Sequence, residues 1–140
     1  MKVKFKKFWP SAITPRYQTE GAAGLDLNAD RWHSVAPGGV VVIRTGVGLA
    51  LPPGYEGQVR GRSSLSLRGI ICATGTIDSD YRGEIAVILI NLGAVMFEVL
   101  PCDRIAQLVI TPVVRAELEL ADELPATERG EGGFGSTGVR

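Results

Sequence analysis

Apolar residues come in short runs and alternations, and no stretch keeps the three-and-four spacing of a long amphipathic helix. Over residues 2–6, Val3 and Phe5 alternate with lysines, which predicts a strand with one buried face. Residues 39–47 carry VVVIRTGV, residues 55–60 alternate more weakly, and residues 84–91 read EIAVILIN. Two further strands are predicted at 94–99 and 104–110, around Pro101, and 113–120 closes the series with VVRAELEL. Glycine and proline interrupt these segments repeatedly, so the pattern is that of an all-β fold with one short helical turn, at 63–68. The run 86–90 is apolar throughout, which predicts a strand covered on both faces. In a domain this small, the second cover can be another subunit.

The length of 140 residues suits one compact domain. Its 15 basic residues balance its 15 acidic ones, which argues against a protein that coats nucleic acid, since that task needs a cationic surface. No wholly apolar stretch approaches the roughly 20 residues that cross a bilayer, so no membrane partner is expected. The opening MKVKFKKFWP has neither the apolar run nor the small-residue cleavage site of a secretory signal, which points to a cytoplasmic or otherwise intracellular protein. Two cysteines, Cys72 and Cys102, make no disulfide framework and no zinc spacing. The one histidine, His33, reads as a turn or surface residue and excludes any scheme needing a histidine cluster within one chain.

The balanced charge is unevenly spread. All four lysines lie in the first seven residues, and the other eleven basic residues are arginines. Arg60, Arg62, Arg82, Arg104 and Arg129 flank glycine, serine or aspartate in loop-like contexts, where a guanidinium fork suits phosphate oxygens. Any one of them taken alone reads equally well as a solvated surface residue. Residues 117–131 hold six acidic residues and one basic residue, without sustained periodicity, and read as the end of the folded body and an exposed linker. The terminal RGEGGFGSTGVR carries five glycines, yet Phe134 within it suggests a segment that orders on a ligand or partner. The predicted division is a β-barrel body over 1–124 and a carboxyl-terminal arm over 125–140.

Four segments carry candidate chemistry. GAAGLDL (21–27) sets Asp26 between apolar residues, facing either a polar cleft or solvent. GRSSL (61–65) joins a glycine-led loop to an arginine and two hydroxyls, a set of donors that can face an anion. It has no Walker lysine and no G-x-S-x-G elbow, which argues against a covalent serine mechanism. In GTIDSDYRGE (75–84), a carboxylate held near phosphorus can orient a water and take its proton, and Tyr81 can lie against a sugar. The same residues also make an ordinary hairpin turn with Arg82 paired to an aspartate. Gln107 is the odd polar member of RIAQLVI (104–110), and a buried amide needs partners, structural or phosphate. No metal cage is visible, but magnesium binds largely through substrate phosphates and water, so a magnesium–nucleotide complex is compatible with the sequence.

Taken together, AAGLDL (22–27), GRSSL (61–65), GTIDSDYRGEI (75–85), RIAQLVI (104–110) and RGEGGFGSTG (129–138) resemble, in order and over nearly the whole chain, the five motifs of the homotrimeric all-β dUTPases. The resemblance implies a distorted β-barrel or jelly-roll-like body, three subunits contributing to each active site, and an arm that closes over bound nucleotide. It implies hydrolysis of dUTP to dUMP and pyrophosphate by water attack on the α-phosphorus, with Mg2+ neutralising the triphosphate. In its terms Asp78 holds and activates the water, and Tyr81 packs under the deoxyribose. Backbone groups of a hairpin over 71–77, including Cys72 and Ile77, read the uracil edge. Arg62, Ser63, Ser64 and Gln107 engage the phosphate chain. On the arm, Arg129 reaches phosphate, Phe134 with Gly135 covers the uracil ring, and Ser136 with Thr137 meets the terminal phosphate. Asp26 supports the nucleotide or magnesium-water environment, Arg104 braces the fourth motif or a subunit contact, and Asp80 is first a turn residue. Cys72 stands where some members have asparagine, and Thr76 replaces a more usual apolar residue. Two other readings remain open from the residues alone: a dCTP deaminase of related fold, and a nucleotide-binding β-barrel without turnover. Product identification from dCTP and dUTP separates all three.

Overall fold

The computed structural model describes residues 1–133. Eleven strands and one short helix follow in the order β1 (Lys4–Lys7), β2 (Leu25–Asn28), β3 (His33–Val35), β4 (Val40–Arg44), β5 (Val47–Ala50), β6 (Tyr55–Arg60), α1 (Ser63–Ser66), β7 (Ile70–Cys72), β8 (Gly75–Ile77), β9 (Ala86–Asn91), β10 (Phe97–Val99) and β11 (Arg104–Pro112). Every pairing is antiparallel. The sheets run β2–β11–β6–β8 and β4–β9–β7, with the two-stranded pairs β1–β5 and β10–β3 beside them. The fold is therefore all-β, as the sequence pattern predicts. Among the described residues, no helix is long and apolar enough to cross a membrane.

Alternation explains the core. Leu27, Ile43, Val59, Val87, Leu89, Val99, Ile105 and Leu108 come from six strands and bury almost completely into one cluster. Asn91 is a polar residue buried as deeply as these, and both ends of its amide are hydrogen-bonded. Nδ2 donates to the Val35 and Val95 carbonyls at 2.8 Å each, and Oδ1 accepts from the Gly93 N–H at 2.9 Å.

Strand β9 has one buried face, from Val87, Leu89 and Asn91, while Ile88 on its other face is exposed beside Val40 and Val42 of β4. Among the described residues of one chain, none supplies the second cover predicted for 86–90. The run 39–47 is not one strand but two, β4 and β5, which pair with different neighbours. Gly46 breaks it: its φ of +71° is left-handed, and a Cβ there would stand 2.5 Å from Ala12 Cβ and 2.8 Å from Trp9 Cε2. Strand β1 forms where expected, but all four of its residues are exposed; of the predicted buried face, Val3 just before the strand packs partly against the core, while Phe5 is half-exposed.

The predicted strand over 113–120 does not form. The last ladder pair is Pro112 with Tyr55, and the Val113 N–H donates to the Gly54 carbonyl. Beyond that point no described strand offers backbone partners, so alternation alone cannot make a strand, and Val114, Leu118 and Leu120 stand in solvent. His33 lies half-buried in β3 rather than in a turn, with Nε2 at 3.3 Å from Asp30 Oδ1; Arg31 Nε donates to Asp30 Oδ2 at 2.8 Å.

Burial of Asp30 works to raise its carboxyl pKa, but the hydrogen bonds and charges of Arg31 and His33 outweigh it and hold the group below its ordinary value. A carboxylate whose folded pKa is depressed stabilises the fold above its unfolded pKa, and that stability is lost as pH falls through the folded value. Asp30→Asn is therefore expected to flatten the acid limb of stability below about pH 4, read as the difference in urea midpoints between pH 7 and pH 3. An unchanged acid limb would remove this carboxylate from the account.

Candidate active site

The pairing of β11 with β2 on one edge and β6 on the other builds the first candidate site. Gln107 lies opposite Asp26 on β2 and opposite Arg60 on β6, and the register slips between Arg104 and Ala106. Around this junction opens a cavity of about 360 Å³ lined by Gln18, Ala22, Gly24, Asp26, Arg62, Ser63, Ser64, Arg104 and Gln107. Its polar groups are cross-braced. Arg104 Nη1 donates to Asp26 Oδ2 at 3.1 Å, Arg62 Nη1 donates to the Arg104 carbonyl at 2.7 Å, and Gln107 Nε2 donates to the Gly61 carbonyl at 3.2 Å. Two guanidinium groups against one carboxylate leave the cavity net positive, and the exposed Ser63 and Ser64 add hydroxyl donors: a site for a polyanion.

The second candidate site lies at the far end of β6. Asp78 follows β8 directly, is exposed, and lines a cavity of about 350 Å³ with Gly54, Tyr55, Glu56, Ser79, Asp80, Val113 and Arg115. The Tyr81 N–H closes the turn by donating to the Asp78 carbonyl at 3.1 Å. Arg82 donates to the Ser79 and Tyr81 carbonyls rather than pairing with an aspartate, because the turn directs those oxygens at its guanidinium. The half-exposed Tyr81 ring lies over Gly83, and its hydroxyl donates to the Glu84 carbonyl at 2.9 Å.

The two sites of one chain do not merge. Ile77 pairs with Gly57 on β6, which sets Asp78 level with Glu56, whereas Gln107 pairs with Arg60. Four residues at about 3.3 Å each put about 13 Å between them along the strand. The 71–77 segment is also not a paired hairpin. β7 pairs with β9 and β8 pairs with β6, so the two strands splay apart and leave backbone between them. Cys72 lies next to Gly61, where a Cβ would stand 3.4 Å from Cys72 Cβ, and burial pushes its thiol pKa up. The Ile77 side chain is in the core, so only its backbone can meet a ligand. Arg129 is exposed in a turn where Nε donates to the Gly132 carbonyl, and it lines neither cavity. Phe134, Gly135, Ser136 and Thr137 lie outside the described residues.

Gln18 and Gly24 are site residues that motif reading did not single out. Gln18 stands apart from any motif, so no sequence signal marks it. Gly24 sits inside GAAGLDL, and its role is spatial: a Cβ there would stand 2.5 Å from Gln107 Oε1 and 2.9 Å from Gln107 Cβ. Gly24→Ala is therefore expected to displace the Gln107 amide and weaken triphosphate binding about 10-fold or more, with the melting temperature little changed. Calorimetric titration with a non-hydrolysable nucleoside triphosphate measures it, and unaltered affinity would exclude Gln107 from the anion site.

Known proteins place this geometry. The family model described as dUTPase matches residues 11–138. A deoxyuridine 5'-triphosphate nucleotidohydrolase of Anaeromyxobacter sp. (strain Fw109-5) is 56% identical over 132 residues, covering 92% of this chain and 90% of that protein. The solved structure of the Staphylococcus bacteriophage 80alpha dUTPase with dUpNHpp is 28% identical and covers 99% of both chains at a TM-score of 0.94. The dUTPase from phage phi11 of S. aureus shares the fold at 23% identity and a TM-score of 0.83, over 88% of this chain and 98% of its own; that protein coordinates a structural Mg(II) ion. Both cavities and all five motif segments fall within the matched span, and the chain belongs to the dUTPase family.

Proposed function

We propose that the chain hydrolyses dUTP to dUMP and pyrophosphate at a site assembled between copies, in which the phosphate cavity of one subunit faces the 78–81 turn of another and three subunits close the ring. Family membership carries the reaction. The observation that carries the assembly is the separation of Asp78 from the phosphate cavity, about 13 Å along β6 within one chain. The uncovered apolar face of Val40, Val42 and Ile88 supports it, as does the alternating 113–120 segment standing away from its own body.

In this reading Arg62, Ser63, Ser64 and Gln107 hold the phosphate chain, while the splayed 71–77 backbone, with Cys72 and Ile77 at its two strands, reads the uracil edge. Tyr81 lies against the deoxyribose. The Asp78 carboxylate accepts a proton from water as the water oxygen bonds to the α-phosphorus. The bond from that phosphorus to the bridging oxygen breaks, and pyrophosphate leaves with the electron pair. The arginines stabilise charge that grows on the phosphoryl oxygens. Arg104 is tied to Asp26 and braces the cavity wall. Arg129 and the arm residues Phe134, Gly135, Ser136 and Thr137 cover the nucleotide.

Among the described residues, no three His, Cys, Asp or Glu side chains gather to hold a metal. Mg2+ fits as a companion of the triphosphate, with Asp26 the carboxylate of the cavity that can accept from metal-bound water. When bound, the ion neutralises phosphate charge.

Asp78→Ala is expected to lower kcat by about 10²–10⁴-fold while leaving affinity for a non-hydrolysable dUTP analogue within a few-fold. Equal losses of both would argue that Asp78 shapes the structure rather than the chemistry. A mixing experiment tests the assembly. Asp78→Ala and Arg62→Ala copies, each inactive alone, are expected to regain about a quarter of full activity when refolded together at equal ratio, because random closure of a ring pairs an intact Asp78 with an intact Arg62 at that frequency. Absence of recovery, with mixed assemblies confirmed by mass, would place the site within one chain.

A further inference from the structure

We infer that Glu84 is a positioning residue for Tyr81, and so sets discrimination against ribonucleotides. This rests on the reading of Tyr81 as the surface under the deoxyribose.

The Tyr81 ring is half-exposed and has few restraints of its own. It packs on Gly83, where a Cβ would stand 2.8 Å from Tyr81 Cε2 and closer still to its hydroxyl, and its hydroxyl donates to the Glu84 carbonyl at 2.9 Å. The location of the ring therefore follows the backbone at 83–84. That backbone is fastened by the Glu84 side chain, which is 9% exposed although it is charged. Glu84 Oε1 accepts from the Gly46 N–H at 2.7 Å, and Oε2 accepts from Arg44 Nε at 2.6 Å, with Arg44 Nη2 also on Oε2. Two further bonds tie the next residue to the same junction. The Thr45 hydroxyl donates to the Ile85 carbonyl at 2.6 Å, and the Ile85 N–H donates to the Val47 carbonyl at 2.8 Å.

The junction itself cannot give way. Gly46 is left-handed and packed against Ala12 and Trp9, its carbonyl accepts from the Phe8 N–H, and the Arg44 guanidinium lies 5.1 Å from the centre of a Trp9 ring. The β4–β5 break is thus the anchor, the Glu84 carboxylate the strut, and Tyr81 the surface held in place. Rejecting a single hydroxyl on the sugar requires that surface to stay put, since a ring free to withdraw makes room for a ribose.

The test is kcat/KM for dUTP and UTP in assembled enzyme of confirmed mass. Glu84→Ala is expected to lower the dUTP-over-UTP ratio about 10-fold or more, and Glu84→Gln, which keeps an acceptor for Gly46 but not the charge for Arg44, by an intermediate amount. Tyr81→Phe, which removes only the hydroxyl, should lose as much of the ratio as Glu84→Ala, and the double variant should be no worse than either alone. Equal loss on both substrates, or multiplying losses in the double variant, would overturn the inference and reduce Glu84 to a fold-stabilising residue. Tyr81→Ala separates the two layers of the argument. If it keeps the ratio, the sugar-surface reading fails and the inference with it; if it abolishes the ratio while the Glu84 variants retain theirs, only the inference fails.

Discussion

Strand β6 is hydrogen-bonded on both edges, to β11 and to β8, and this double pairing fixes the distance between the two kinds of chemistry the chain carries. At its Arg60 end the register brings in Gln107, Gly61 and Arg62. At its Tyr55 end it brings in Asp78. A strand paired on both sides cannot slip without turning every core residue outward, because side chains alternate with a period of two. Asp78 therefore cannot drift toward the phosphate cavity of its own chain. A rigid spacing that separates the carboxylate proposed to activate water from the anion cavity is an obstacle in a monomer and, in the proposed ring of copies, an organising element.

The phosphate cavity depends on a similar economy of bracing. Asp26 is almost wholly buried, and its pairing with Arg104 supplies the partner a buried carboxylate requires. Arg104 in turn offers its carbonyl to Arg62. Each guanidinium spends one donor on the frame and keeps the rest of its fork, so that the cavity is preorganised before any anion arrives. Removal of Asp26 would take away more than a negative charge, because the ladder that orients Arg104 would lose its anchor.

Much of this was legible in the sequence. Alternation marked most of the core strands, and 86–90 announced a strand with a second face to cover. Motif residues such as Asp26, Arg62, Ser63 and Gln107 did converge on one cavity. What sequence could not give was set by pairs distant along the chain. The VVVIRTGV run reads as one strand because the Trp9 and Ala12 side chains that leave no room for a Cβ at Gly46 lie far from it along the chain. VVRAELEL reads as a strand because alternation describes faces and says nothing of whether a backbone neighbour exists. Glu84 carries no local signal, since Arg44 lies 40 residues away. The 71–77 segment reads as a hairpin, and only the sheet order reveals that its strands belong to different sheets.

That splaying matters for recognition. A paired hairpin spends its N–H and C=O groups on itself and has none to give a base, whereas strands drawn apart leave main-chain donors and acceptors along their facing edges. β7 is held away by β9, and β8 by β6, so the cost of opening the gap is met by the sheets rather than by the ligand. The side chains follow the same division. Ile77 turns into the core and steadies its strand, and Cys72 lies against Gly61, linking the splayed 71–77 segment to the loop that begins the polyanion cavity. If the 71–77 backbone reads the base as proposed, an unusual side chain at position 72 is tolerated, because selectivity then resides in where the backbone is held.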